Sequence, residues 1–257
     1  MLVHEWLALA FFAHLALAAV VLPLPRGRRT ATGVGAIVLG AIVVIGSQLE
    51  STTARSWAPV LYVLAGYYLA GRTFFRPMPH VEDWLIGIDR RVLGDHRTRF
   101  AAWPRSAVAL LDAAYIGCFL LVPGGFGLLV WAGRGDLAQY YWTIVVGAEL
   151  GAFATLPYLQ TRPPWVIERL ADSRASVKFM KHATTGANTL PSGHAAGSLA
   201  VALAVADILP VAGAILIVLA LVIAVATVVT RAHFVVDVVS GVALAIAIWL
   251  AARVAFV

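Results

Sequence analysis

Apolar runs of bilayer length recur along this chain at residues 2–22, 31–47, 57–70, 107–131, 137–159, 195–209, 211–229 and 234–251. Each approaches the roughly 20 residues that a helix needs to cross a hydrocarbon core. In that solvent every backbone amide must find its partner inside the protein, and a run of this length does so as a helix. Charged residues make up only 12% of the chain, well below the roughly one quarter of soluble domains. The expectation is an all-α integral membrane bundle of eight spans. Residues 1–48 form an N-terminal transmembrane pair and 57–254 the larger membrane domain. The first run begins Met-Leu-Val-His-Glu without a basic leader, so it is expected to remain as a helix.

The formal net charge of +6 comes from residues in short loops rather than from a basic stripe, so nucleic acid is not an expected partner. Counted by alternate loops, sixteen of the 19 Lys and Arg fall on one side, and only Arg55, Arg134 and Arg253 on the other. The positive-inside rule puts the sixteen-residue face in the cytoplasm. The single cysteine, Cys118, excludes an internal disulfide.

Two loops exceed connector length. In the first, over about 80–94, Val81, Trp84, Leu85, Ile88 and Val92 recur at three- and four-residue steps among Glu82, Asp83, Asp89, Arg90 and Arg91. This predicts an amphipathic helix lying on the bilayer surface. The second, residues 160–191, carries Arg162-Pro163-Pro164-Trp165, where proline stops a helix, and a possible surface helix over 165–180. It closes on Pro191-Ser192-Gly193-His194.

Ser-Gly at the start of a helix supplies a cap and free amides that suit an anion, and His194 would stand in the first turn. Alone, this is equally a plain turn. The segment Thr230-Arg231-Ala232-His233-Phe234-Val235-Val236-Asp237 adds three ionisable groups between apolar runs, where such groups are functional by default. His233 and Asp237, four apart, share a helix face, so the carboxylate can fix the imidazole tautomer. Arg231 offers a planar fork of donors for phosphate. Two spans separate His194 from His233, so both emerge on one membrane face, as does Arg162.

With these segments the chain resembles the type 2 phosphatidic acid phosphatase and haloperoxidase superfamily. Its membrane members carry an Arg-Pro segment, a Pro-Ser-Gly-His segment and a final His-x-x-x-Asp, in that order. The resemblance covers roughly residues 57–251 and implies a six-helix lipid-phosphatase-like core, with the first two spans as additions, in a bacterial plasma membrane. It further implies His233 as nucleophile, Asp237 as its orienter and His194 as proton donor to the leaving alcohol. Arg162, Ser192, Gly193 and Arg231 would bind the phosphate of a membrane lipid substrate. No metal and no cofactor is expected.

Two positions depart from that pattern. Thr155 stands where the family has a lysine seven residues before the Arg-Pro arginine, and Thr227 where it has an arginine six before the histidine. Together with Asp89-Arg90-Arg91-Val92-Leu93-Gly94, the substituted pattern looks like the branch of inositol phosphorylceramide synthases. A lipid head-group phosphotransferase therefore stands beside the phosphatase. A transporter with Arg162, His194, Arg231 and Asp237 along an ion path is a third reading. Its ionisable groups cluster at one face, however, rather than spanning the depth. Glu149, Asp112 and Asp207 lie in or beside apolar runs as further candidates or as structural pairs, Glu149 foremost. His4, His14, His80, His96 and His182 read as interfacial.

Overall fold

A computed structural model of the protein describes residues 1–170 and 174–256. The chain runs through α1 (Val3–Val21), α2 (Arg26–Gly46), α3 (Thr52–Gly71), α4 (Pro79–Leu93), α5 (His96–Ala101), α6 (Arg105–Gly117) and α7 (Leu121–Trp131). It continues through α8 (Ala138–Phe153), α9 (Pro164–Ile167), α10 (Ala175–Ala183), α11 (Gly193–Ile208), α12 (Pro210–Val229) and α13 (Val235–Phe256). Among the described residues no strand forms, and a lone backbone bridge joins Thr161 to Asn188. The protein is an all-α integral membrane fold.

Five segments are long and apolar enough to cross a membrane by length and composition: α1, α2, the joined α6–α7, α12 and α13. The other three apolar runs form α3, α8 and α11. At 16 residues each, α8 and α11 rise only about 24 Å, but they occupy the middle of the bundle. Every residue of α8 from Tyr141 to Leu150 is buried, as expected of a helix with no polar face. Around it pack α1, α3, α7, α11 and α13. Phe11, Phe12 and Leu15 of α1 share one core with Trp142, Val146 and Val201, so the N-terminal pair is packed into the same body.

Local chemistry accounts for the departures from the simple runs. The 107–131 run is tightened at Cys118–Leu120 by a 3-10 turn, just before Pro123, which cannot donate to the carbonyl four residues back. The 137–159 run stops being helical at Phe153 and passes through turns to Tyr158. The surface helix expected over 165–180 is two pieces, α9 and α10. The first ends where Arg169 turns left-handed, at φ 51°, and the Leu170 amide bonds back to Trp165. Residues 171–173 of that stretch lie outside the described residues.

Close approach sets the hairpin on which the two histidine segments hang. A Cβ on Gly213 of α12 would fall on the backbone of Ala206 in α11; small residues at such crossings are what lets membrane helices touch. The surface helix α4 is fixed just as specifically. It buries Glu82, Leu85 and Asp89 and leaves Trp84, Arg90, Arg91 and Val92 outward. Glu82 receives the Arg162 backbone amide at 2.8 Å and its guanidinium at 3.0 and 2.6 Å. Burial pushes the Glu82 carboxyl up, but the Arg162 hydrogen bonds more than offset it and hold the pKa below the ordinary glutamate range.

Gly213→Val is expected to destabilise the bundle by about 1–3 kcal/mol, the usual range for overpacking, measured as a lower Tm in detergent. For Glu82, a depressed folded pKa means stability that is complete above the ordinary value near 4.5 and lost as pH falls through the folded one. Wild-type protein is therefore expected to lose thermal stability below about pH 4.5 more steeply than Glu82→Gln. The two melting curves should converge in acid, and parallel pH profiles would contradict the assignment.

Candidate active site

The α11–α12 hairpin returns the chain to the face where α11 began, and the start of α13 is held against the start of α11. The Ser192 amide donates to the Asp237 carbonyl at 2.8 Å. A Cβ on Gly241 would crowd the Ser192 carbonyl at 2.6 Å, so glycine is what allows the two helix starts to lie this close. The result is that His194 Nδ1 and His233 Nε2 stand 3.1 Å apart.

His233 Nδ1 faces two oxygens, Asn188 Oδ1 at 3.0 Å and Asp237 Oδ2 at 3.3 Å. Both are acceptors, so Nδ1 carries the proton and Nε2 holds the lone pair. It follows that His194 Nδ1 is the donor in the contact between the rings. Asp237 is fully buried, and its Oδ2 also accepts the Phe234 amide at 2.9 Å, which caps the first turn of α13. Asn188 is fixed in turn: its side-chain amide donates to Thr161 Oγ1 at 3.2 Å, and its backbone amide donates to the Thr161 carbonyl at 2.8 Å. The ring of His194 stacks on Tyr115 at 5.0 Å, with Phe119 edge-on at 5.3 Å.

Both histidines line a cavity of about 190 Å³ whose other walls include Val60, Val63 and Leu64 of α3, Phe119, Val122 and Pro123, and Phe153 and Glu149 of α8. The walls are mostly apolar. Leu64 and Phe119 are themselves exposed, so the cavity lining reaches the surface of the bundle at α3 and at the 3-10 turn between α6 and α7.

Of the residues expected to hold phosphate, Gly193 lines this cavity and the other three do not. Ser192 is buried, and its hydroxyl caps α11 by accepting from the Ala195 amide at 3.3 Å. Arg162 is gripped by Glu82. Arg231 sits in the turn that ends α12, left-handed at φ 62°, a conformation costing a side-chain-bearing residue about 1–2 kcal/mol. Its guanidinium donates to Asp89 at 2.7 Å and to Glu168 at 3.0 and 2.7 Å. The other Asp89 oxygen accepts the Val235 amide at the start of α13 at 2.9 Å. The surface helix α4 thus reaches both candidate arginines, with carboxylates two turns apart on one face.

Sequence reasoning missed Asn188, Tyr115 and the carboxylate partners Glu82, Asp89 and Glu168. The seven-residue spacing of Glu82 and Asp89 on the inward face of an amphipathic helix was the available signal for that pair. Asp112 and Asp207 are structural. The first takes Arg174 at 2.5 Å and Ser176 at 2.9 Å, and the second receives Tyr140 and Trp249. Glu149 has no hydrogen-bond or ion-pair partner among the described residues.

Residues 83–251 match the family model described as PAP2 superfamily. No curated protein and no solved structure matches the chain significantly. The match spans about two thirds of the chain and contains both histidine segments, Arg162 and Asp237, so the protein belongs to the PAP2 superfamily, with the phosphatase-type activity on phosphate esters that membership carries.

Proposed function

We propose that the protein is a lipid phosphatase, hydrolysing a phosphomonoester or diphosphate of a membrane lipid through a phosphohistidine on His233. The observation that carries this reading is the 3.1 Å pair of His194 and His233 on the wall of a mostly apolar cavity whose lining reaches the surface of the bundle. A soluble phosphate ester would have no use for such walls, whereas a lipid would place its chains there and its phosphate at the polar end.

In the first step His233 Nε2 attacks phosphorus, the bond to the lipid oxygen breaks, and protonated His194 gives its proton to the departing alcohol. Asp237 and Asn188, both on Nδ1, keep the attacking lone pair on Nε2 and offset the charge that grows on the ring. In the second step His194 takes a proton from water, the water oxygen attacks phosphorus, and the phosphorus–nitrogen bond breaks to release phosphate. Because His194 occupies the attacking nitrogen at rest, substrate must enter between the rings. The Gly193 amide, now on Thr189 Oγ1 at 3.3 Å, is placed to meet a phosphate oxygen. Arg231 would join by exchanging a carboxylate for phosphate, and Arg162 through Nη1, which Glu82 leaves free; together they would form the electrostatic clamp on which phosphoryl transfer depends.

The same intermediate serves a transferase if a lipid alcohol replaces water. The apolar walls, which discourage water, keep this inositol phosphorylceramide synthase-like reading as the second one. For orientation we propose that the site faces the cytoplasm, since the arginine-rich loops and the catalytic segments share one end of the bundle.

His233→Ala is expected to abolish phosphate release from lipid phosphates by purified protein while leaving the Tm in detergent close to wild type. His194→Ala should lose about 10²–10⁴-fold in kcat, as for removal of a general acid. It should still form an acid-labile phosphoenzyme from an ester whose leaving group needs no proton. Substantial turnover by His233→Ala would remove it as nucleophile, and a new phospholipid without phosphate release would favour the transferase. For orientation, Lys178→Cys in a Cys118→Ser background is expected to resist a membrane-impermeant maleimide in intact cells and to react after permeabilisation. Labelling of intact cells would reverse the assignment.

A further inference from the structure

The cavity that holds the histidine pair is also lined by a carboxyl that the reaction described above does not use. Glu149 is 91% buried, is counted among the cavity's lining residues, and has no hydrogen-bond or ion-pair partner among the described residues. Burying a polar group without a partner costs free energy, more so for a charged one. Yet the surroundings are shaped to keep it. A Cβ on Gly197 of α11 would fall inside the Glu149 carboxyl, and one on Gly193 would come within 3.3 Å of it and 2.6 Å of Phe153. Two glycines, one turn apart, leave the space that the carboxyl fills.

The position is informative. Gly197 lies four residues, about 6 Å, along α11 from Gly193, and the Glu149 carboxyl spans that turn with one oxygen against each glycine. His194 is in the first turn. A lipid phosphate held at His233 with its chains among Val60, Val63, Leu64 and Phe119 would have its first carbons in the cavity that Glu149 also lines. A carboxyl here can accept a hydrogen bond, and the hydroxyl of Ser198, next to Gly197, is already engaged by the His194 carbonyl at 2.6 Å.

We infer that Glu149 forms a specificity subsite for a hydrogen-bond donor, a hydroxyl, amide N–H or amine, carried by the lipid on the carbon next to its phosphoester. The substrate class is then a lipid phosphate with such a vicinal donor rather than a bare alkyl or polyprenyl phosphate. This rests on the lipid-phosphatase reading and narrows it. A donor lost from the substrate leaves the carboxyl buried and unpaired, a penalty larger than the loss of the bond alone.

The test compares a monoacylglycerol 3-phosphate, whose free hydroxyl is vicinal to the phosphoester, with its 2-O-methyl ether, by phosphate release from detergent-solubilised full-length protein. Wild type is expected to favour the free hydroxyl by about tenfold or more in kcat/KM. In Glu149→Met the ratio should fall to near one, and in Glu149→Gln, which keeps an acceptor oxygen, the preference should persist in reduced form. A wild-type ratio near one would overturn the proposal without help from any variant. So would a Glu149→Met protein that keeps the wild-type ratio or loses both substrates together. Release from both lipids without discrimination defeats this subsite alone, whereas no release from any lipid phosphate defeats the phosphatase reading with it.

Discussion

Asp237 ties together the two helix starts from which the site is made. Its carbonyl receives the Ser192 amide, its Oδ2 caps α13 through Phe234, and the same oxygen stands behind His233 Nδ1. Its Oδ1 is buried without a hydrogen-bond partner among the described residues, so the contacts at Oδ2 are what offset the burial of the carboxyl. The three contacts therefore serve stability and chemistry at once. They hold α11 against α13, fix which His233 nitrogen is protonated, and so fix which nitrogen faces His194. A change at this residue could not be confined to the reaction.

The parts of this arrangement that were legible in the sequence are those governed by local period or by topology. Apolar run length gave the helices because the bilayer imposes one length scale. The i, i+4 spacing gave the His233–Asp237 pair. The two spans between His194 and His233 required them to emerge at one face, where the structure brings them into contact. The amphipathic period over 80–94 became α4. The less legible features come from interactions between distant segments or from single residues. Asn188 reaches His233 across 45 positions and Glu82 reaches Arg162 across 80, and no period encodes such pairings. Arg169 ends α9 by one left-handed residue of a type that gives no turn signal. The arginines were legible as phosphate-compatible, but their present carboxylate partners were not.

Those partners change how the arginines should be understood. Arg162 and Arg231 lie at the end of the bundle where lipid head-groups would crowd, and an unpaired guanidinium there would bind any phosphate that drifted past. Paired with Asp89 and Glu168, Arg231 has all three guanidinium nitrogens engaged, whereas Glu82 holds Nε and Nη2 of Arg162 and leaves its Nη1 without a partner among the described residues. A phosphate gains from the buried Arg231 only by replacing a carboxylate, so the net gain there from an arbitrary anion is small. A lipid that also fills the apolar cavity can offset that exchange with buried area, at about 25 cal/mol per Å². The electrostatic and hydrophobic parts of recognition are thereby coupled.

The same pairs make α4 part of the site although none of its residues lines the cavity. One face of this helix carries Glu82, Leu85 and Asp89 into the protein, while Trp84, Arg90, Arg91 and Val92 point outward. That outward set is the composition expected of a helix resting at the interface, with an aromatic ring and arginines at head-group depth. Asp89 bonds both the Arg231 guanidinium and the first amide of α13, so a shift of α4 relative to the bundle would be felt at the turn that carries His233. Arg231 is left-handed in that turn and buried, and its two carboxylates are the attractive contacts that offset the strain. The geometry of His233 thus rests in part on a helix outside the cavity.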